Sequence, residues 1–394
     1  VTPAGRAQAA IELLDQIVAA AREGGAAADT LIARYFKTRR YAGSKDRRAV
    51  RDLVYRAIRR AGEVPANGRA ALLGVAADDV AVAAMFDGSP HGPALIGDGE
   101  LAAPAGVAPV WLAERLERTL DSDELAALLG RAPLDVRVNA LKTTRDDVLP
   151  LIAGAQPTPH APMGLRLPEG TQVESLPVFQ DGLIEVQDEG SQIVTMMAGA
   201  APGMTVIDLC AGAGGKTLSL AAAMQASGRL IACDADRARL SRLAPRAERA
   251  GIGAVETRLL DPNREMAALA DLPGAADVVL VDAPCSGTGT WRRNPEARWR
   301  LTPDRLDRLV ALQARLIRIA AQLVKPGGSL VYIVCSLVDA EGADQVMAFL
   351  REHPGWSAGG PAAVAGTPHR GGFRLTPATD GTDGFFVARL QRPC

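Results

Sequence analysis

VVLVDAPCSG (residues 278–287) decides how this chain is read. Four consecutive apolar residues suit a strand buried on both faces. The strand then ends in a carboxylate, an alanine, a proline and a cysteine. A second apolar run, Val331-Tyr332-Ile333-Val334, ends in Cys335-Ser336. Thiols at two strand ends are core filler, a metal site or a pair of reagents, and their surroundings discriminate.

From Phe179 onward the pattern alternates strand and helix. MTVIDLC, RLIACD, VETRLL, DVVLVD and SLVYIVCS read as strands with helical segments between them. One helix is sharply punctuated, with Thr302 as N-cap, Pro303 at its first position and Lys325-Pro326-Gly327-Gly328 as terminator. The alternation predicts an α/β fold, an open parallel sheet with helices on both faces. Upstream, residues 5–62 read as helical, with Gly62 as a C-cap. MFDGSPHGPALIGDGELAAPAG reads as a connector. DVRVNAL (residues 135–141) alternates like a strand, with Val136, Val138 and Ala140 on one face. The expected domains are helical 1–75, linker 76–107, a small α+β subdomain 108–178 and the sheet domain 179–394.

A chain of 394 residues is too long for one ordinary domain, and 48% hydrophobic with 23% charged is globular composition. No run reaches the length of a membrane span, and Glu12 and Asp15 interrupt the apolar stretch a signal peptide would need. The five cysteines (Cys210, Cys233, Cys285, Cys335, Cys394) form no C-x-x-C pair, and the four histidines are scattered. That pattern argues against a disulfide framework and a metal site, and it suits a reducing cytoplasm. A net charge of -1 says nothing about nucleic acid, but its distribution does. Residues 34–60 are densely basic, and WRRNPEARWR (residues 291–300) interleaves arginine with tryptophan. Arginine with aromatics suits phosphate contact and base stacking, so Arg39, Arg40, Arg292, Arg293 and Arg298 are candidate RNA contacts. The competing reading is a solvated helix face.

The first strand of the sheet ends in DLCAGAGGKT (residues 208–217). In doubly wound sheets, ligands sit beyond the carboxyl ends of the strands. Two familiar loops are excluded. A P-loop needs glycine where Cys210 stands, and a dinucleotide fingerprint needs glycine or alanine at Thr217. Asp234 and Asp261 end the next two strands, where carboxylates accept ribose hydroxyls. Either alone reads as a helix N-cap. Together, with no dedicated phosphate grip, they favour a neutral or cationic nucleoside such as S-adenosylmethionine.

In methyltransferase-like sheets the fourth and fifth strands are neighbours, which brings Cys285 and Cys335 together at the ligand crevice. A lone cysteine is more often a small buried hydrophobe. Two at adjacent strand ends suit methylation at carbon 5 of a pyrimidine. That carbon is a weak nucleophile until a thiolate adds at carbon 6. Asp282 stands where a carboxyl beside the ring would stabilise the adduct, a second cysteine would assist release, and Lys216 would favour the thiolate.

These residues resemble the RsmB/NSUN family of RNA 5-cytosine methyltransferases. DLCAGAGGKT is similar to its adenosylmethionine loop, DAPCSGTGTWRRNPEARWR to its PCS motif and VYIVCSL to its TCS motif. VQDEGSQIV and DGFFVARL are similar to the motifs that open and close its catalytic domain. The resemblance covers nearly the whole chain, with NusB-like N-terminal helices and a ferredoxin- or RRM-like middle segment. It implies Cys335 as nucleophile, Cys285 as release cysteine, Asp282 against the cytosine ring and Lys216 beside the base or methionine moiety. It also implies a cofactor site of Cys210, Ala211, Gly212, Ala213, Gly214, Gly215, Lys216, Asp234, Asp261 and Asp282. The implied partner is small-subunit ribosomal RNA, with transfer RNA as the alternative and a monomer expected. One departure is Val334, where the motif carries threonine. A DNA-type enzyme would attack with Cys285 instead, and a non-catalytic assembly factor would not need the intact set of Asp282, Cys285, Cys335 and Lys216.

Overall fold

The computed structural model describes residues 1–39, 42–253, 255–360 and 363–394, so Arg40 lies outside the described residues. The chain divides into two compact units. One comprises Val1–Arg131 and Thr290–Arg305, the other Ala132–Gly289 and Leu306–Cys394. The expected boundary at 108 is displaced: the helices Val110–Leu116 and Ser122–Ala127 belong to the first unit. The expected linker 76–107 belongs there too. Arg60 and Arg69 hold the carbonyls of Ala103, Ala94 and Leu95.

In the first unit, helix α1 (Pro3–Glu23) starts at the Thr2 cap and buries Ala7, Ala10, Ile11, Leu14, Ile17, Val18 and Ala21, the spacing of one helical face. Helix α2 (Ala28–Thr38) and helix α3 (Ser44–Arg60) bury Ile32, Phe36, Val50, Leu53, Val54 and Ile58 against it. Helix α4 (Gly68–Asp78) crosses α1 closely; a Cβ at Gly68 would lie 2.2 Å from the carbonyl oxygen of Ile11. Gly62 is not the expected C-cap. Helix α3 ends at Arg60, and Gly62 instead permits backbone approach, with Gly106 2.9 Å from where its Cβ would be.

The Trp- and Arg-rich stretch completes this unit. The Glu296 carboxylate accepts from the N–H of Ala28 at 2.9 Å, an acid at the N-terminus of α2. The Arg298 guanidinium donates to the carbonyls of Ile58, Arg59 and Ala61 at 2.6, 3.0 and 2.9 Å, and Trp299 Nε1 donates to Ala61 at 2.9 Å. An anion at one helix N-terminus and a cation at another's C-terminus both complement the backbone dipoles. Arg298, expected at an RNA surface, is fully buried, and Arg292 is buried at 7% exposure. Helix ends leave carbonyls unsatisfied, and here an arginine from a distant segment takes them. Burial pushes Arg298 down to about 9.

The second unit holds two sheets. The smaller is antiparallel, in the order β2 (Gln156–Pro157), β3 (Gly164–Leu167), β1 (Leu134–Val138), β4 (Ile184–Val186). Val136 and Val138 face its core with Leu165, Leu167 and Ile184. Ala140 does not join them, because the strand stops at Val138 and Ala140 is exposed. The opposite face is polar yet buried: Asp135 pairs with Arg166 at 2.8 Å, and Asn139 donates to the carbonyls of Gly182 and Ala250.

The larger sheet has nine strands among the described residues. In chain order they are β5 (Thr205–Asp208), β6 (Arg229–Asp234), β7 (Glu256–Leu259), β8 (Ala276–Asp282), β9 (Val324–Val334), β10 (Ser357–Ala358), β11 (Thr367–His369), β12 (Gly372–Leu375) and β13 (Phe385–Gln391). Their order is β11-β12-β13-β9-β8-β5-β6-β7, with β10 beside β13. The run from β7 to β9 is parallel, as expected, while β13 returns antiparallel to β9. Alternate residues feed two cores. Ile207, Val279, Val281, Tyr332 and Val334 meet Leu316, Ile317 and Ala320, whereas Val206, Val278, Leu280, Val331 and Ile333 meet Ile193, Val194 and Leu220. The order reverses between β5 and β8, which opens a crevice at their carboxyl ends.

The Arg298 cap makes a prediction. Arg298→Met keeps the aliphatic stem but leaves the α3 carbonyls without their donor. Chemical denaturation should show a loss of about 3 kcal/mol. A change below about 0.5 kcal/mol would refute the capping role.

Candidate active site

Four strand ends build the site. After β5 the chain turns through Gly212 and Gly214, at φ of 56° and 89°, into the helix Gly215–Ala223. Only glycine suits Gly214, where a Cβ would lie 2.2 Å from Leu243. Asp234, ending β6, fastens the turn. Its carboxylate accepts from the N–H groups of Gly212 and Asp236, each at 2.7 Å. Cys210 and Ala213 are half-buried and Ala211 is buried, while Asp261, two residues beyond β7, is exposed.

Lys216 is the second residue of the helix and lies 2.6 Å from Asp282, which ends β8. Its ammonium also lies 5.7 Å from the centre of the Phe385 ring. Burial opposes the Lys216 charge, but Asp282, Cys335 and Asp208 outweigh it, and its pKa stands above the ordinary lysine value. Behind this pair, Asp208 is fully buried and accepts from the Thr217 hydroxyl at 2.7 Å. Burial pushes Asp208 up to about 7.

Strands β8 and β9 pair in parallel with Asp282 opposite Ile333, so both end at one level. Cys335 directly follows β9 and Cys285 lies three residues past β8. Their sulfurs are 3.3 Å apart as free thiols. The hydrogen bond with Cys335 pushes Cys285 well above the usual thiol value, with burial and the charges of Cys335 and Glu341 adding to it. Either thiol of the pair can donate to the other. Cys233 is core, pushed up to about 12 by burial.

The sequence reading missed Glu341, fully buried six residues after Cys335, and Gln313 on the helix Pro303–Leu323. The repeated Cys-Ser of residues 285–286 and 335–336 was the available signal, since both serines bond to Glu341.

The residues suit an adenosylmethionine-type ligand. The glycine turn exposes backbone, carboxylates end β6 and β8, and Lys216 is already paired and offers no phosphate grip. Among the described residues, no group of His, Cys, Asp and Glu side chains could hold a metal ion. Among the described residues, no helix is long and apolar enough to cross a membrane either. Of the candidate RNA contacts, Arg39 is half-buried, with Tyr35 under its guanidinium at 3.7 Å and Glu12 at 3.2 Å, and Arg293 is half-buried.

The raised pKa of Asp208 has a measurable consequence. The unfolded carboxyl releases its proton near 3.8, whereas the native one holds it to about 7. Its stabilising contribution is complete below the lower value and is lost as pH rises through the upper one. Asp208→Asn should remove that loss. The melting temperature of the variant relative to the parent should climb by a few degrees between about pH 4 and pH 7 and then level off. A flat difference across that window sinks the assignment.

Comparison with known proteins agrees with this geometry. Residues 195–391 match the family model described as 16S rRNA methyltransferase RsmB/F. A probable ribosomal RNA small subunit methyltransferase B of Synechocystis is 35% identical over 72% of this chain, and ribosomal RNA small subunit methyltransferase B of Salmonella arizonae is likewise 35% identical over 72%. Each match spans 66% of the relative's own length, just under two thirds. Among solved structures, PH0851 superposes with a TM-score of 0.79 at 25% identity, covering 100% of this chain and 99% of that one. A methyltransferase homolog from Pyrococcus horikoshii gives 0.63 at 27% identity over 72% of this chain and 94% of its own. With its sheet order, glycine turn and paired thiols, the chain belongs to the RsmB/F methyltransferase family, and its cofactor is S-adenosylmethionine.

Proposed function

We propose that this chain methylates carbon 5 of a cytosine in small-subunit ribosomal RNA through a covalent bond from Cys335 to carbon 6 of the base. The observation that carries the reading is the pair of thiols 3.3 Å apart at the ends of adjacent strands. The cofactor is held by residues 210–216, Asp234, Asp261 and Asp282, and when bound it supplies an electrophilic methyl group. The names of the relatives support ribosomal RNA as substrate, and a ribosomal RNA substrate favours the cytoplasm as the setting.

The residues divide the labour. Cys335 forms the S–C6 bond as its thiolate, and the C5=C6 electron pair moves into the ring, leaving carbon 5 nucleophilic. Lys216 and Asp282, 2.6 Å apart, meet the charge that develops on the ring. Release needs the carbon-5 proton to leave. Its bonding pair re-forms C5=C6, and the C6–S bond breaks onto the Cys335 sulfur. Cys285 gives its thiol proton to that sulfur and takes up the carbon-5 proton, so it ends as it began.

RNA affinity comes from the helical unit. Lys45 and Arg48 on α3 are exposed, and neither forms an ion pair among the described residues. Arg51 and Arg56 on the same helix are tied to Asp29 and Asp79.

Two experiments test these statements. Cys285→Ala and Cys335→Ala proteins are each mixed with RNA and adenosylmethionine and run on a denaturing gel. Cys285→Ala should accumulate a covalent RNA adduct, and Cys335→Ala should give neither adduct nor product. Reversed roles would make Cys285 the attacker, and methylation by both variants would reduce the thiols to packing. In the second experiment, Lys45→Glu with Arg48→Glu should weaken RNA binding about tenfold or more and flatten its salt dependence. An unchanged salt slope removes α3 from the interface.

A further inference from the structure

The Glu341 carboxylate is fully buried in the second unit, and no lysine or arginine lies within ion-pair reach of it among the described residues. A buried charge without a counterion persists only where hydrogen bonds replace its water. Four donors do so here. One oxygen accepts from the Ser286 N–H at 2.8 Å and from Gln313 Nε2 at 3.0 Å. The other accepts from the Ser286 and Ser336 hydroxyls, the latter at 2.5 Å. The Tyr332 hydroxyl, from inside β9, donates to the Glu341 carbonyl at 2.5 Å and fixes the backbone that carries the carboxylate.

The donors come from chosen places. Ser286 follows Cys285 and Ser336 follows Cys335. The two serine oxygens meet at 3.2 Å, directly behind sulfurs that meet at 3.3 Å. Gln313 also donates to the Pro284 carbonyl at 2.9 Å, so Cys285 is held from the residues on both sides. Thr288 adds a bond to the Leu337 N–H at 2.9 Å, another link between the two loops. The geometry points to Glu341 as a positioning residue: it gathers the serine beside each cysteine onto one carboxylate and so holds the two thiols in contact. A single oxygen shared by two hydroxyls from different loops is a distance constraint, and no apolar side chain supplies it.

This deepens the two-cysteine reading and rests on it for its effect on catalysis, but the contact itself is measurable without any RNA. Diamide is the probe. The two thiols lose two protons and two electrons to its N=N bond, which becomes a hydrazine, and the sulfurs join as a disulfide. The rate of Cys285–Cys335 closure, followed by peptide mass spectrometry on the full folded chain, reports how well the sulfurs are held together. Glu341→Ala should slow closure by about tenfold or more, and methyl transfer by about a hundredfold in kcat with KM for adenosylmethionine little changed. Glu341→Gln should stay within about threefold of the parent for closure, because its amide oxygen accepts the two N–H donors and its amide nitrogen donates to hydroxyls turned to accept. If Glu341→Ala does not fold, the double variant Ser286→Ala with Ser336→Ala removes the shared oxygen's donors and should slow closure by about threefold or more.

Parent-like closure in whichever of these two variants is used overturns the proposal. So does Glu341→Gln closing as slowly as Glu341→Ala. Failure of the RNA adduct test alongside slowed closure would instead strike the reaction assignment and leave the positioning role standing.

Discussion

The register of β8 against β9 is the constraint on which the chemistry depends. Asp282 sits opposite Ile333, so the two strands finish level, and the residues just beyond them share one space. A slip of one residue in either strand would turn its alternating side chains onto the wrong core and carry its cysteine away from the other. Val279, Val281, Tyr332 and Val334 on one face, and Val278, Leu280, Val331 and Ile333 on the other, all lock the same register. The packing of two apolar faces therefore fixes a distance between two sulfurs.

That distance sits in an unusual electrostatic setting. Asp208, Lys216, Asp282 and Glu341 lie near the strand ends, three of them nearly or wholly out of reach of water. Each is handled differently. Asp208 is biased toward its neutral form, Lys216 and Asp282 neutralise each other, and Glu341 stays surrounded by donors. Removing any one partner would leave a buried charge or polar group uncompensated, a costlier change than losing one hydrogen bond.

Much of this was legible in the sequence because it is local. Apolar runs announced the parallel strands, and the two Cys-Ser dipeptides marked the strand ends. The order of strands placed Cys285 beside Cys335 once the parallel alternation was accepted. What stayed hidden depends on distant partners. Arg298 has the composition of an RNA-facing arginine, and only the unsatisfied carbonyls at the end of α3 draw it inward. Gly62 looks like a helix cap from its neighbours, yet its role is set by Gly106. Glu341 reads as an ordinary loop acid until Ser286 and Gln313, 55 and 28 residues away, converge on it. Charged side chains are hard to place from sequence because their burial is decided by donors and acceptors that periodicity does not encode.

The return of residues 290–305 to the helical unit also has a consequence for synthesis on the ribosome. Helices α1 to α4 are complete by residue 78, but the groups that cap α2 and α3 arrive with Glu296 and Arg298. Some two hundred further residues, including most of the catalytic sheet's parallel strands, must emerge first. Until then the nascent helical unit carries open helix termini and an uncovered place for Trp299 on its core. Its native state is a late event in translation, coupled to the progress of the chain that follows it.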